Sequence, residues 1–368
     1  MLAQTGCSIG VRLLENLGQG VCSASANELT IKNKIVSPKR QEENMPDSKM
    51  KRDVVSGEMY DPQKRPRFNE IASFMRAPIA ESLDGVDIGL IGVPFDGGTS
   101  FRPGARLGPR GVRQQSCLMR TKSHFSEIAP FELCNVRDLG DVFIDKMYNI
   151  EDAHACIERY YQEICARNIM PLTVGGDHSI TYPIFKALAK DGPIGMVHFD
   201  AHTDTWDSLY GSKFFHGAPF RRAVEDGLLD PLRTIQIGIR GSEHSGTPNF
   251  SLECGMRVIF IDEFDELGVD GVLKEIKRVV GDGKTYISFD VDGLDPAYAP
   301  GTGTPEAGGI SMREALRMIR GMRGLNLIGG DVVEVAPELD PSGITALNAA
   351  TLMFDMLCIL SEARSKAV

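Results

Sequence analysis

The chain predicts a three-layer αβα fold with a mostly parallel central sheet, and three observations carry that prediction. Short apolar runs recur along it, stretches with helical spacing separate them, and glycine or proline turns close several of the runs. Strand, helix and strand at such spacings form crossovers, which put helices over both faces of a parallel sheet.

Residues 86–93 are a short apolar run closed by Pro94 and a glycine turn, as a buried parallel strand should be. Residues 150–168 carry apolar side chains at helical spacing and lead into a strand at 170–174 that meets Gly175-Gly176. A helix is predicted at 179–188 and the next strand at 194–199. Further strands are predicted at 234–239, 258–261, 286–289 and 327–335, and further helices at 267–280, 311–321 and 344–361.

At 368 residues, 42% hydrophobic and 24% charged, the chain is large enough for one globular domain with a full core. Composition does not break between 80 and 368, so residues 61–368 are read as one catalytic domain. Residues 1–60 are read as a poorly ordered extension, rich in Ser, Gly and Asn without a steady apolar period. Within 1–40, Arg12, Lys32, Lys34, Lys39 and Arg40 outnumber Glu15 and Glu28, a mild presequence-like bias. The expected location is the cytoplasm, or the mitochondrion if the extension is a presequence. A net charge of -10 argues against a nucleic-acid or anionic-membrane surface. No apolar run approaches the ~18 residues of a membrane span. Eight scattered cysteines without a CxxC pair read as free thiols in a reducing compartment.

In such sheets ligands sit beyond the carboxyl ends of the strands. Three predicted strands run into Asp and His clusters there: Gly175-Gly176-Asp177-His178-Ser179, Asp200-Ala-His202-Thr-Asp204, and Asp290-Val-Asp292. Alternate residues at a strand end share a face, so Asp200, His202 and Asp204 can converge, as can Asp290 and Asp292. Taken singly the motifs are common, and GGDHS alone reads as a turn with Asp177 or Ser179 as a helix cap. Together they crowd six donors into one crevice, where they would repel one another without cations. Two imidazoles with four carboxylates form a fairly hard set that suits Mn2+ best, with Ni2+, Co2+ or Fe2+ as alternatives. Six ligands exceed one ion's need, so two bridged ions that activate a shared water are expected. A dinuclear phosphoesterase is the rival, but no Gly-Asn-His segment is present. His124, His154 and His244 fall outside the clusters and receive no role.

GGDHS, DAHTD and SFDVDGLDP, in this order, resemble the ureohydrolases: arginases, agmatinases and other guanidino-compound hydrolases. The resemblance runs from about Pro66 to the C-terminus, and the segment 297–305 is similar to the agmatinase-like branch. It implies an arginase-like fold, a homo-oligomer (trimer or hexamer), and two ions. One takes His178, Asp200, Asp204 and Asp290; the other takes Asp200, His202, Asp290 and Asp292. It further implies that Asp204 orients the attacking water, that His216 relays a proton to the leaving amine, and that Glu334 grips the guanidinium. Where arginases carry an asparagine that holds the amino-acid head, this chain has Trp206, its only tryptophan. The arginase aspartate after the G-[IL]-R strand end is replaced by Gly241-Ser242-Glu243. An aromatic ring at 206 would narrow the pocket or stack on a cation. The implied substrate is a small cationic guanidino compound, agmatine first, then 4-guanidinobutyrate, 3-guanidinopropionate or guanidine. A non-catalytic guanidino sensor is the alternative of a different class.

Deletion of residues 1–45 should leave the core folded and its kinetics close to those of the parent. A large fall in kcat, or loss of an oligomer on a sizing column, would contradict that reading.

Overall fold

The apolar runs form one eight-stranded sheet in the computed structural model, which describes residues 66–69, 71–242 and 249–366. In chain order the strands are β1 (Ile88–Val93), β2 (Val136–Asp141), β3 (Met170–Gly175), β4 (Ile194–Phe199), β5 (Leu229–Ile239), β6 (Arg257–Phe260), β7 (Thr285–Asp290) and β8 (Leu327–Val333). Their spatial order is β2-β1-β3-β8-β7-β4-β5-β6, and every neighbouring pair is parallel. The expected mostly parallel sheet is therefore parallel throughout.

Side chains alternate across each strand and feed two apolar clusters, one on each face. On β4, Val197 and Phe199 enter one cluster while Ile194 and Met196 enter the other. The helices, in chain order, are α1 (Gly108–Ser116), α2 (Pro130–Leu133), α3 (Ile150–Ala166), α4 (Thr181–Leu188), α5 (Pro219–Glu225), α6 (Phe250–Cys254), α7 (Ile261–Val280), α8 (Met312–Gly321) and α9 (Ile344–Lys366). Residues of α1, α7, α8 and α9 cover the first face; residues of α3, α4 and α5 cover the second. Those are the three layers. Strands β1, β4 and β7 are buried along their whole length, as parallel strands covered on both faces are.

The departures from sequence expectation have local causes. Strand β2 was not expected, because Arg137 and Asp138 interrupt its apolar pattern. It lies at the sheet edge, and buried Asp138 accepts from Phe74 N at 2.8 Å and from Arg113 Nε at 2.9 Å. Helix α7 starts at Ile261 rather than 267 and breaks at Gly268, whose φ of 60° is not helical. A single 3-10 turn, His178–Ile180, precedes α4, and Asp177 caps it by accepting from Ser179 N. Ser311 and Glu314 form a reciprocal capping box on α8. Helix α9 is long and apolar enough to cross a membrane, yet it packs as a core helix, with 78% of its apolar window buried. Cys117, Cys134, Cys156, Cys165, Cys254 and Cys358 are free thiols. Cys7, Cys22, His244 and the extension 1–60 lie outside the described residues.

Gly176 shapes the turn after β3. Its φ is +46°, and an added Cβ would meet the carbonyl oxygens of Val93 and Phe95 at 2.5 Å each. Gly176→Ala should therefore cost about 2–4 kcal/mol, combining left-handed strain with a backbone clash. Chemical denaturation checks it; a midpoint equal to the parent's would contradict the turn assignment.

Candidate functional site

Four adjacent strands, β3, β8, β7 and β4, end on one crevice and carry the predicted residues there. His178 follows β3, Asp200, His202 and Asp204 follow β4, Asp290 ends β7 with Asp292 beyond it, and Glu334 follows β8. The structure brings all six predicted ligands together in two overlapping groups. His178 Nδ1 lies 3.2 Å from Asp200 Oδ2, 3.0 Å from Asp204 Oδ2 and 3.2 Å from Asp290 Oδ2. His202 Nδ1 lies 3.4 Å from Asp200 Oδ1 and 3.2 Å from Asp292 Oδ2. Asp200 therefore belongs to both groups through different oxygens. The second oxygen of Asp290 accepts from Asp292 N at 2.8 Å.

The electrostatics of these groups call for positive charge. Ser288 Oγ donates to Asp331 Oδ1 at 2.7 Å, so it can only accept from His178 Nε2, 2.8 Å away. That turns Nδ1 toward the three carboxylate oxygens. Although burial opposes it, those carboxylates hold the His178 pKa well above its ordinary value. Yet buried Nδ1 makes no well-directed hydrogen bond, since the oxygens surround it instead of aligning with it. Burial, then Asp292 and Asp200, push Asp290 well above the carboxylate range. Burial and Asp200 push Asp292 up to about 6. Oxygen and imidazole donors that converge without satisfying one another fit divalent cations of the hard to intermediate kind.

Asp204 at φ 52° and Glu334 at φ 63° have backbones that L side chains rarely adopt. Glu334 Oε1 accepts from His178 N and from His216 Nδ1, both at 2.9 Å. Its other oxygen, Oε2, is buried and has no partner. Ser100 N and Ser100 Oγ lie 3.1 and 2.6 Å from His216 Nε2. Burial lowers the His216 pKa, but Glu334, Asp204 and Asp177 outweigh it and hold the ring at about 9. Asp177, expected as at most a cap, also accepts from Gly98 N at 2.6 Å and so ties down the loop that carries Ser100.

A pocket of about 310 Å³ opens over the cluster, lined by Ser100, Trp206, Leu209, Tyr210, Phe215 and Thr304 among others. Trp206 is thus at the pocket wall and 40% exposed. Gly241 has φ +87°, and an added Cβ would sit 2.7 Å from the Glu306 carboxyl carbon. A side chain there would be strained by the positive φ and would have to displace the Glu306 carboxylate. Glu243 lies outside the described residues. Sequence reasoning missed Ser100, Tyr210, Phe215 and Thr304. Their only signal was membership of the segments flanking the motifs.

The arginase family profile matches residues 86–358. The chain is 54% identical over 304 residues to a guanidinopropionase of Pseudomonas aeruginosa, covering 82% of this chain and 95% of that one. It is 50% identical over 292 residues to a mitochondrial agmatinase of Gallus gallus, covering 79% and 86%. The solved proclavaminate amidinohydrolase of Streptomyces clavuligerus superposes with a TM-score of 0.77 at 39% identity, covering 81% of this chain and all of that one.

Asp290 raises the repulsion inside the cluster, and its pKa, raised in the fold, makes its charge destabilising at neutral pH. Asp290→Asn should therefore melt at a higher temperature than the parent in chelator, while elemental analysis finds fewer than two metal equivalents. Two full equivalents retained would sink its place in the cation site.

Proposed function

Because the chain belongs to the arginase family and is a guanidino-compound hydrolase, we propose that its substrate lacks an α-amino acid head, with agmatine the first candidate. The observation that carries the guanidinium end of the reading is the unpartnered, buried Glu334 Oε2. A buried carboxylate oxygen without a donor is costly, and a guanidinium offers forked N–H donors of the matching shape.

In this reading two divalent ions, Mn2+ first with Ni2+, Co2+ or Fe2+ as alternatives, are held by the six residues. His178, Asp200, Asp204 and Asp290 hold one; Asp200, His202, Asp290 and Asp292 hold the other. When bound, such a pair lowers the pKa of a shared water and so supplies the nucleophile. Asp204 would accept a hydrogen bond from the attacking water and orient it toward the guanidinium carbon. Glu334 fixes the guanidinium plane, which places its carbon within reach. The incoming N–H groups compete with His216 Nδ1 for Glu334. The displaced imidazolium can then give its Nδ1 proton to the departing amine, which leaves with urea as the other product.

The pocket wall supports the choice of tail. Trp206, Tyr210 and Phe215 offer aromatic faces, and no Lys or Arg is among the described lining residues. A primary ammonium is held by such rings, whereas a carboxylate gains nothing from them. The second reading, a short guanidino acid such as 3-guanidinopropionate or 4-guanidinobutyrate, rests on the relative named guanidinopropionase. A purely sensory role is disfavoured because every residue the chemistry needs is present. The reading includes a homo-oligomer, trimer or hexamer, by family resemblance, and a reducing compartment. The cytoplasm is the first choice and the mitochondrion the second, given a relative named mitochondrial.

The test is kcat/KM for urea release from agmatine, both guanidino acids, guanidine and arginine at equal Mn2+ loading. Arginine should fall at least about 100-fold below the preferred compound, since its head would be desolvated without partners. Arginine matching or beating every other compound would overturn the substrate reading.

A further inference from the structure

His198 is the penultimate residue of β4, two residues before Asp200, and has no role in the chemistry above. It is fully buried, with the Phe220 ring 4.5 Å away centroid to centroid. The ligand atoms of His178, His198 and Asp200 lie within 4.8 Å of one another, so proximity alone would make His198 a third imidazole ligand.

The hydrogen bonds exclude that. His198 is the register partner of Gln236 on β5. The Gln236 side-chain nitrogen donates to the Thr203 carbonyl at 2.7 Å. A carbonyl only accepts, so the amide nitrogen is fixed on that side. The same nitrogen lies 3.0 Å from His198 Nδ1, which must therefore accept. A neutral imidazole accepting at Nδ1 carries its hydrogen on Nε2. His198 Nε2 is 2.8 Å from Asp200 Oδ2 and donates to it. With that hydrogen in place, Nε2 has no lone pair left for a cation.

We propose that His198 is a positioning residue that pins the carboxylate of Asp200 across the two cation positions. The inference rests on the dinuclear reading above. Asp200 Oδ1 accepts from His202 N at 2.6 Å, and Oδ2 accepts from His198 Nε2. Each oxygen thus has one fixed donor and keeps a lone pair for one side of the cluster. Oδ2 faces His178 and Oδ1 faces His202. A carboxylate held this way bridges. One free to turn about its Cβ–Cγ bond can bring both oxygens to a single ion and leave the other short of a ligand. Gln236 acts one step further out, by fixing which nitrogen of His198 carries the hydrogen.

The experiment is Mn2+ titration of full-length, chelator-stripped protein, reading equilibrium binding and the paramagnetic resonance signal of coupled manganese. His198→Phe removes the donor, His198→Gln keeps an amide N–H on a side chain of similar reach, and Gln236→Leu removes the outer anchor. His198→Phe should weaken the looser ion about 10–100-fold and abolish the coupled signal. His198→Gln should stay within about threefold of the parent and keep that signal, and Gln236→Leu should fall between the two. A His198→Phe protein with parental affinity and coupling would overturn the proposal. Should that variant melt below the assay temperature in chelator, Gln236→Leu decides: parental behaviour there overturns the proposal equally. A parent that binds fewer than two ions would sink the dinuclear reading itself, a failure separate from an unaltered variant on a two-ion parent.

Discussion

Four carboxylates and two imidazoles in one water-poor crevice cannot all keep their preferred charge unless cations sit among them, and the rest of the molecule is arranged around that conflict. Asp200, Asp290 and Asp292 are fully or almost fully buried, and Asp204 is nearly so. Burial alone would drive such carboxyls to the neutral form, and their mutual repulsion adds to the effect. The fold offsets this with fixed hydrogen-bond donors. Ala201 N donates to Asp292, His202 N to Asp200 and Asp292 N to Asp290. None of these donors carries a full charge, so the cluster remains short of positive charge. That shortage is what makes it a cation site.

Sheet topology is the means by which the cluster is assembled. The strands that deliver it lie side by side although they come from distant parts of the chain, and parallel pairing puts all their carboxyl ends at one edge. The turns leaving those strands carry the strain. Asp204 and Glu334 sit at positive φ, held by the backbone bonds Phe220 N to Asp204 O and Glu334 N to Gly176 O. Such backbones persist only where neighbours over-determine them. Here the neighbours are the apolar layers beneath, which places rigid support under both turns.

Much of this was legible in the sequence because the informative contacts are local. In DAHTD and DVD the spacing of alternate residues at a strand end fixes which side chains converge, and buried parallel strands announce themselves as apolar runs. What escaped is what depends on partners far along the chain. Ser100 meets His216 across 116 positions and Gln236 meets His198 across 38. Neither pairing leaves a periodic trace. Strand β2 escaped for another reason: its Asp138 is buried through ion pairing to Arg113, so the residue that anchors it looks like a loop residue. His198 was visible beside its motif, but its role depends on a tautomer, which only the neighbouring strand defines.

The central claim is that two cations share Asp200, one on each of its oxygens. The most direct measurement is a crystal structure of the Mn2+-loaded protein with anomalous data collected at the manganese edge. The account predicts two full-occupancy peaks about 3.5–4 Å apart, as in other two-metal sites, with one Asp200 oxygen on each. A single peak, or two peaks with Asp200 bound to only one of them, would contradict it.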